Sequence, residues 1–331
     1  MPIRVPIRMP IRMPRSVRRR TAAAAAVAAL GLVAPALVTS AGPAQAASAS
    51  YGRVVFVADG DTVDVNVAGD GTSRPVRVRY IGIQSMELNR YSHTLSKLRG
   101  DCWSVDAARH LHSLIDGRRV QLTSRRSTSV SSQNVRPRRH VAVKMDGRWV
   151  DTGALQVSAG LALPDLLPDE FGHNLDYMRR AQEAAANGVG MWGNPARCGI
   201  GPDQTEPLRV SVNWDAEGND AANVNGEWID ITNLGSVPVP LGGWWVRDAA
   251  YRGEKAHGYV VPAGVQVQPG ATLRIHVGNG TDRADRLYWG LGKNIFANVT
   301  GGSKWMGDGA WLFDPQGDLR AWDMYPCRHA C

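Results

Sequence analysis

Residues 52–82 alternate apolar and polar side chains in two runs, "RVVFVADGDTVDVNV" and "RPVRVRYIGI". A period of two belongs to strands with one face buried, and it excludes a helix from this stretch. Gly69-Asp70-Gly71 between the runs suits a tight reversal, so a hairpin is expected. The period then changes. In "WSVDAARHLHSLIDG" the residues Val105, Ala108, Leu111, Leu114 and Ile115 fall at helical spacing, and Gly117 ends the run. "RRVQLTSR" and "RRHVAVKMDGRWV" return to strand patterning, with Asp146-Gly147 as a turn. "TGALQVSAGLAL" and "NLDYMRRAQEAAANGVGMW" predict two further helices. This order gives an α+β region compatible with a small Greek-key barrel carrying helices.

The segment "GIGPDQTEP", residues 199–207, has linker composition. Beyond it, short alternating runs such as "LRVSVNW", "GEWIDITNLG", "ATLRIHVG" and "GAWLFDPQG" recur between turn residues about every ten positions, with no helical pattern. An all-β sandwich over residues 208–331 is the expectation. Eight of the eleven tryptophans lie there, and core packing accounts for them better than a sugar-stacking platform does. At the other end, "MPIRVPIRMPIRMPRSVRRR" is arginine-rich and free of acids. An apolar alanine-dominated run follows and closes on Ala44-Gln45-Ala46. That is the layout of an export signal, residues 1–46, cut after Ala46, which places the remainder outside the cell, released or wall-associated, with no membrane span. Residues 47–198 are then the first folded domain.

Charge changes once that segment is set aside. The chain carries +8, but residues 1–46 hold seven arginines and no acid, so the remainder is near neutral at +1. Within the remainder, residues 47–202 are basic by +5 and residues 203–331 acidic by −4, so only the first domain suits an anionic partner. All four cysteines fall in the exported part, where an even count favours disulfides. Of the three pairings, Cys102–Cys198 and Cys327–Cys331 are expected; "CRHAC" around His329 would be a metal site on the competing view.

The polar residues of the first domain sort by role. Asp59 and Asp61 flank a glycine in "DGDT", and such aspartates are most often turn formers. Arg79 shares a strand face with Arg77, Glu87 follows just past the strand end, and Arg136, Arg138 and Arg139 open a later strand. A carboxylate for a hard cation, two arginines and a separate carboxylate base make a workable phosphodiesterase set. The cation and guanidinium groups stabilise charge on pentavalent phosphorus, and the second carboxylate takes a proton from water.

These stretches resemble the thermonuclease family, the staphylococcal-nuclease-like domain, over about residues 50–198. The family pattern runs DGDT, an arginine strand leading into R-L-x-G-I-D-T-P-E, a helix, and Y-G-R before a strand. Here "DGDT" at 59–62 and the closing "GMW" match it, "RYIGIQSME" at 79–87 keeps the spacing from arginine to glutamate, and "RPRRHVAV" stands where the second arginine belongs, with Arg136 and Pro137 in place of the tyrosine and glycine. The resemblance implies an oligonucleotide-binding-type five-stranded barrel with helices and calcium-dependent cleavage of DNA and RNA, single strands preferred, to 3′-phosphate products. Carried over by position, Asp61 is a calcium ligand, Glu87 the general base, and Arg79 and Arg138 the phosphate-stabilising pair, with Arg136 and Arg139 beside them for nucleic acid. The family's second calcium-ligand aspartate falls on Gln84, its threonine, a backbone-carbonyl ligand, on Ser85, and its proline on Met86. An amide oxygen ligates calcium without charge, so a weak site is expected.

The second half, "NGEWIDITNLGSVPVPLGGWWVRD" with "PGATLRIHVG", is similar to the lamin-tail domain of exported bacterial proteins over about residues 208–326. That implies an immunoglobulin-like sandwich serving as a non-catalytic targeting or adhesion module, its partner unspecified. Two further functions stay open for the whole chain: a cleavage-deficient single-strand binder, and an adhesive surface protein.

Overall fold

The first of the alternating runs forms β1 (Ser50–Val57) and β2 (Thr62–Val67), the second forms β3 (Val76–Tyr80), and Gly69 and Gly71 both take positive φ in the reversal between them. The structure is a computed structural model that describes residues 49–131, 136–193, 197–198, 207–249, 258–299 and 307–328. The expected export signal, all of the linker but Pro207, and Cys331 with its expected bond to Cys327 lie outside the described residues.

A two-residue strand β4 (Ile83–Gln84), helix α1 (Ser104–Ile115), β5 (Arg119–Thr123), β6 (Arg138–Met145) and β7 (Arg148–Asp151) follow. Then come α2 (Thr152–Ser158), a two-residue β8 (Leu163–Pro164) and α3 (Asn174–Ala186). The sheet order is β3-β2-β1-β5-β6-β7, and β3 also pairs with β6 in parallel. Five strands therefore close into a ring, and β7 is attached outside it. The inward residues are those that alternation selects: Val54, Val63, Val65, Val78, Val120, Leu122, Val141 and Val143 are all buried. A bulge between Val54 and Phe56 bends β1 as closure requires. Asp151 caps α2, accepting from the backbone of Gly153 at 2.8 Å and Ala154 at 3.3 Å.

The C-terminal region is all-β and made of several small sheets. One has the order β9 (Leu208–Asn213), β10 (Trp228–Asn233), β13 (Thr272–His276), β14 (Arg286–Tyr288). The other runs β12 (Tyr259–Val260), β11 (Trp245–Arg247), β15 (Asp308–Phe313), β16 (Leu319–Tyr325). A two-residue pairing of Val239–Pro240 with Gln266–Val267 completes the set.

The central strands of the second sheet, β11 and β15, are buried on both faces. Along β15 all six residues are buried; Ala310 and Leu312 pack with Ile231, Val246 and Ile275, while Trp311 and Phe313 join the barrel-side core. Strand alternation repeats the division in β11, where Val246 faces one way and Trp245 the other. Trp245 stacks on Phe313 at 4.0 Å, and Trp322 of β16 meets Trp192 edge-on at 5.1 Å. Polar contacts join the same regions. Gln182 of α3 donates to Pro326 O at 3.1 Å and accepts from Arg328 N at 2.8 Å. Cys102 and Cys198 are bonded, with Cα atoms 5.7 Å apart, as expected from sequence. Asp318, beside them, accepts from Arg197 N at 2.9 Å and from Cys198 N at 3.3 Å. Residues Gln45–Cys331 make one compact unit.

Candidate functional site

The turn between β1 and β2 is built by its own polar atoms. Ala58 N and Asp59 N donate to Thr62 O, and Asp61 N donates to Asp59 Oδ1 at 2.9 Å. Gly60 is required by crowding: a Cβ there would stand 2.6 Å from that of Ala107 in α1 and 2.7 Å from that of Ser85. The glycine thus lets both aspartates be pressed against the segment after β3. Asp61 Oδ2 accepts from Ser85 N at 2.6 Å, Oδ1 accepts from Thr62 Oγ1 at 3.1 Å, and the carboxylate is ion-paired with Arg79.

Arg79 is the hub. Buried at the end of β3, it donates to Ile83 O at 3.1 Å and to Gln84 Oε1. Because Arg79 can only donate, its contact fixes which end of the Gln84 amide faces it. The amide nitrogen therefore points the other way, donating to Glu87 Oε1 at 2.8 Å and Ser85 O at 3.3 Å. Gln84 bridges the arginine and the candidate base. Burial lowers the pKa of Arg79, and the charges of Asp59, Glu87 and Asp165 resist that change.

Arg138 stands beside Arg79. The parallel pairing that closes the ring puts Arg79 opposite Arg138 and Tyr80 opposite Arg139, so the two candidate phosphate arginines point to one side as neighbours. Arg136 lies half-buried near the same carboxylates, and its Nε is buried with no hydrogen-bond partner among the described residues. Arg139 is placed differently from its neighbours. It donates to Ser129 O at 3.2 Å, Ser127 O at 3.2 Å and Arg138 O at 2.7 Å, and so holds the preceding loop.

The carboxylates have unequal environments. Desolvation raises the pKa of Asp59, against the lowering effects of Arg79 and Thr62. Desolvation also raises the Glu87 carboxyl, the charge of Asp59 adds to this, and Arg79, Arg247 and Gln84 oppose it. Glu87 is exposed as a residue, while its carboxylate accepts from Gln84. Asp59 is thus more than the turn former that sequence suggested. Tyr91, exposed and under Arg77 at 5.6 Å, also lies within the field of Asp59 and Glu87, and no sequence signal pointed to it.

Two other clusters bring three candidate ligand atoms together within 4.8 Å: Cys102, Cys198 and Asp318, and His140, Asp151 and His173. The first is the disulfide with its neighbouring carboxylate and offers no thiolate. The second is a hydrogen-bonded network: Tyr177 Oη donates to Asp151 Oδ2 at 2.7 Å, His173 Nδ1 lies 3.0 Å from the same oxygen, and His140 Nδ1 is 3.2 Å from Tyr177 Oη. Burial lowers the pKa of His140 to about 3, with His173 adding to the effect.

Compared with known families, residues 205–326 match the Lamin Tail Domain, so the C-terminal region is a lamin tail domain. A search of curated proteins finds no match to the chain. Among the described residues no helix is long and apolar enough to cross a membrane.

Proposed function

We propose that the chain is an exported, calcium-assisted nuclease of the thermonuclease type. On this reading its five-stranded ring is an oligonucleotide-binding-type barrel and its lamin tail domain an immunoglobulin-like sandwich. One observation carries the proposal: Arg79 and Arg138 are adjacent on paired strands, Asp61 and Gln84 contact Arg79 directly, and Glu87 is linked to it through Gln84. Residues from three separate stretches thereby assemble the set expected from their chemistry.

The residues fit a hard cation. The candidate donors are all oxygen: the Asp59 and Asp61 carboxylates, the Ser85 carbonyl and the Gln84 amide oxygen, and a cation there would compete with Arg79 for Asp61 and Gln84. Burial leaves Asp59 under-compensated, and a cation would relieve it. Asp61, Ser85 and Gln84 would hold calcium, which supplies charge stabilisation at the phosphate when bound. Gln84 contributes no charge, so affinity is weak and suits extracellular calcium concentrations.

The chain's own residues do the rest. Glu87 accepts a proton from a water whose oxygen attacks phosphorus, and the upward shift of its carboxyl makes it a better base near neutral pH. Arg79 and Arg138 donate to the phosphoryl oxygens as negative charge grows in the transition state. Arg136 adds positive charge at the rim, and the substrate is single-stranded DNA or RNA. The Cys102–Cys198 bond supports an oxidising compartment. A targeting or adhesive role for the lamin tail domain belongs to the same proposal, its partner being open.

A second reading is favoured by one contact. The Gln84 amide hydrogen-bonds Glu87 while Arg79 is satisfied by Asp61, an arrangement complete in itself and compatible with binding without cleavage. One assay separates the two. Residues 47–331 are incubated with single-stranded DNA in calcium and in chelator, beside Glu87→Gln. Calcium-dependent cleavage lost in Glu87→Gln supports the nuclease. Salt-sensitive binding without products at any calcium concentration supports the binder.

A further inference from the structure

We infer that the lamin tail domain is part of the candidate site, because Arg247 reaches from its sheet to hold the Met86–Glu87 turn. Position 247 lies on the barrel-facing side of β11, two residues from Trp245, in a face that also carries Trp311 and Phe313. A charged side chain in such a face is costly unless it is specifically used. Arg247 is 1% exposed. Its Nε donates to Asp248 O at 3.1 Å and its Nη2 to Ala249 O at 3.3 Å, so two edges of the guanidinium are fixed by its own strand end. The third edge crosses to the barrel: Nη1 lies 3.8 Å from Met86 Sδ.

Met86 is also 1% exposed, and its peptide links Ser85 to Glu87. The thioether is a long, adaptable arm that a proline at this position would not supply. Through it the guanidinium bears on the two residues that flank it: Ser85, whose N–H meets Asp61, and Glu87, whose carboxylate meets Gln84. The charge of Arg247 is also felt at the Glu87 carboxyl. Arg247 is therefore a positioning residue acting through Met86, and the barrel without its lamin tail domain has a loosened 85–87 turn.

The turnover part of this inference rests on the nuclease reading; the positioning part does not. Full-length mature protein, Arg247→Met, Arg247→Lys and Met86→Leu are compared by hydrogen exchange over residues 83–90, with α1 as the internal reference. The expected result is exchange at least tenfold faster over 83–90 in Arg247→Met, with α1 unchanged and partial recovery in Arg247→Lys. Met86→Leu, which leaves Arg247 and the core volume nearly intact, loosens the same segment to a smaller degree. If Arg247→Met does not fold, Met86→Leu alone decides the matter. Unchanged exchange over 83–90, or an equal rise in α1, overturns the inference.

In cleavage assays Arg247→Met lowers kcat at least tenfold with KM within twofold, and Arg247→Lys recovers part of it. Cleavage by Arg247→Met equal to wild type overturns the turnover part of the inference and leaves the nuclease reading standing. No wild-type cleavage, with 83–90 loosened in Arg247→Met, overturns the nuclease reading and leaves the positioning role standing.

Discussion

Arg79 and Arg138 face each other across the parallel pair that closes the barrel ring, although 59 positions separate them in the chain. Their roles differ in burial, and so should their variants. Arg138→Lys is expected to lower single-turnover cleavage by about 10²–10³-fold, because an ammonium cannot reproduce a two-pronged contact with phosphate. Its unfolding midpoint should stay within a few degrees of wild type. Arg79→Lys should lose activity and also stability, since Arg79 holds Asp61, Ile83 O and Gln84 together. Equal midpoints for the two variants would contradict this division.

Gln84→Asp restores a negative charge where the resemblance expects one. Calcium affinity measured by titration calorimetry should rise about tenfold or more, as expected of one unit charge a few ångströms from a divalent ion in a partly solvated site. Without calcium the same variant should be less stable by roughly 1 kcal/mol. It loses the hydrogen bond to Glu87 and sets two carboxylates side by side. A variant more stable than wild type in chelator would show that the amide bridge has no structural value.

The Cys102–Cys198 bond closes a loop of 96 residues and sits against Asp318 of the lamin tail domain. Cys102→Ser with Cys198→Ser should reduce stability by about 3–5 kcal/mol, the loop-entropy scale for a closure of this length. Urea unfolding of the double variant against wild type measures it. A loss below 1 kcal/mol would mean that the surrounding core already fixes the loop.

Glu227 provides a pH signature from the lamin tail domain. It is buried; Oε2 accepts from Ile295 N at 2.9 Å and Phe296 N at 3.4 Å, while Oε1 has no partner among the described residues. Desolvation pushes its carboxyl up from 4.5 to about 7. The native state therefore keeps a proton that the unfolded chain releases, and stability falls as pH rises from 4.5 to about 7. Glu227→Gln removes this dependence. The stability of wild type relative to the variant should drop by up to about 3 kcal/mol between pH 5 and 8. Parallel curves would contradict it.

Strand and helix periodicity made most of the barrel legible, because its residues have one buried face and one wet one. Arg138 came from the resemblance alone; that it lies opposite Arg79 rests on the parallel pairing that closes the ring, which no local pattern reveals. What sequence missed has a common cause. Asp59 reads as a turn former because nothing local reveals that Gly60 packs it under α1. Arg247 and Trp245 read as ordinary residues of a strand. Their second covering layer is the barrel, which lies a hundred or more residues away in sequence. The consecutive apolar residues Ala310-Trp311-Leu312-Phe313 are all buried for the same reason.

The central strands β11 and β15 have no outside. A lamin tail domain built this way is not an interchangeable cassette. Excised, it would present Trp245, Trp311 and Phe313 to water and be driven to cover them with another copy of itself. Grafted onto another protein, it would need a host whose surface fits those rings. Moving this domain to another protein therefore has to carry both sides of the joint together.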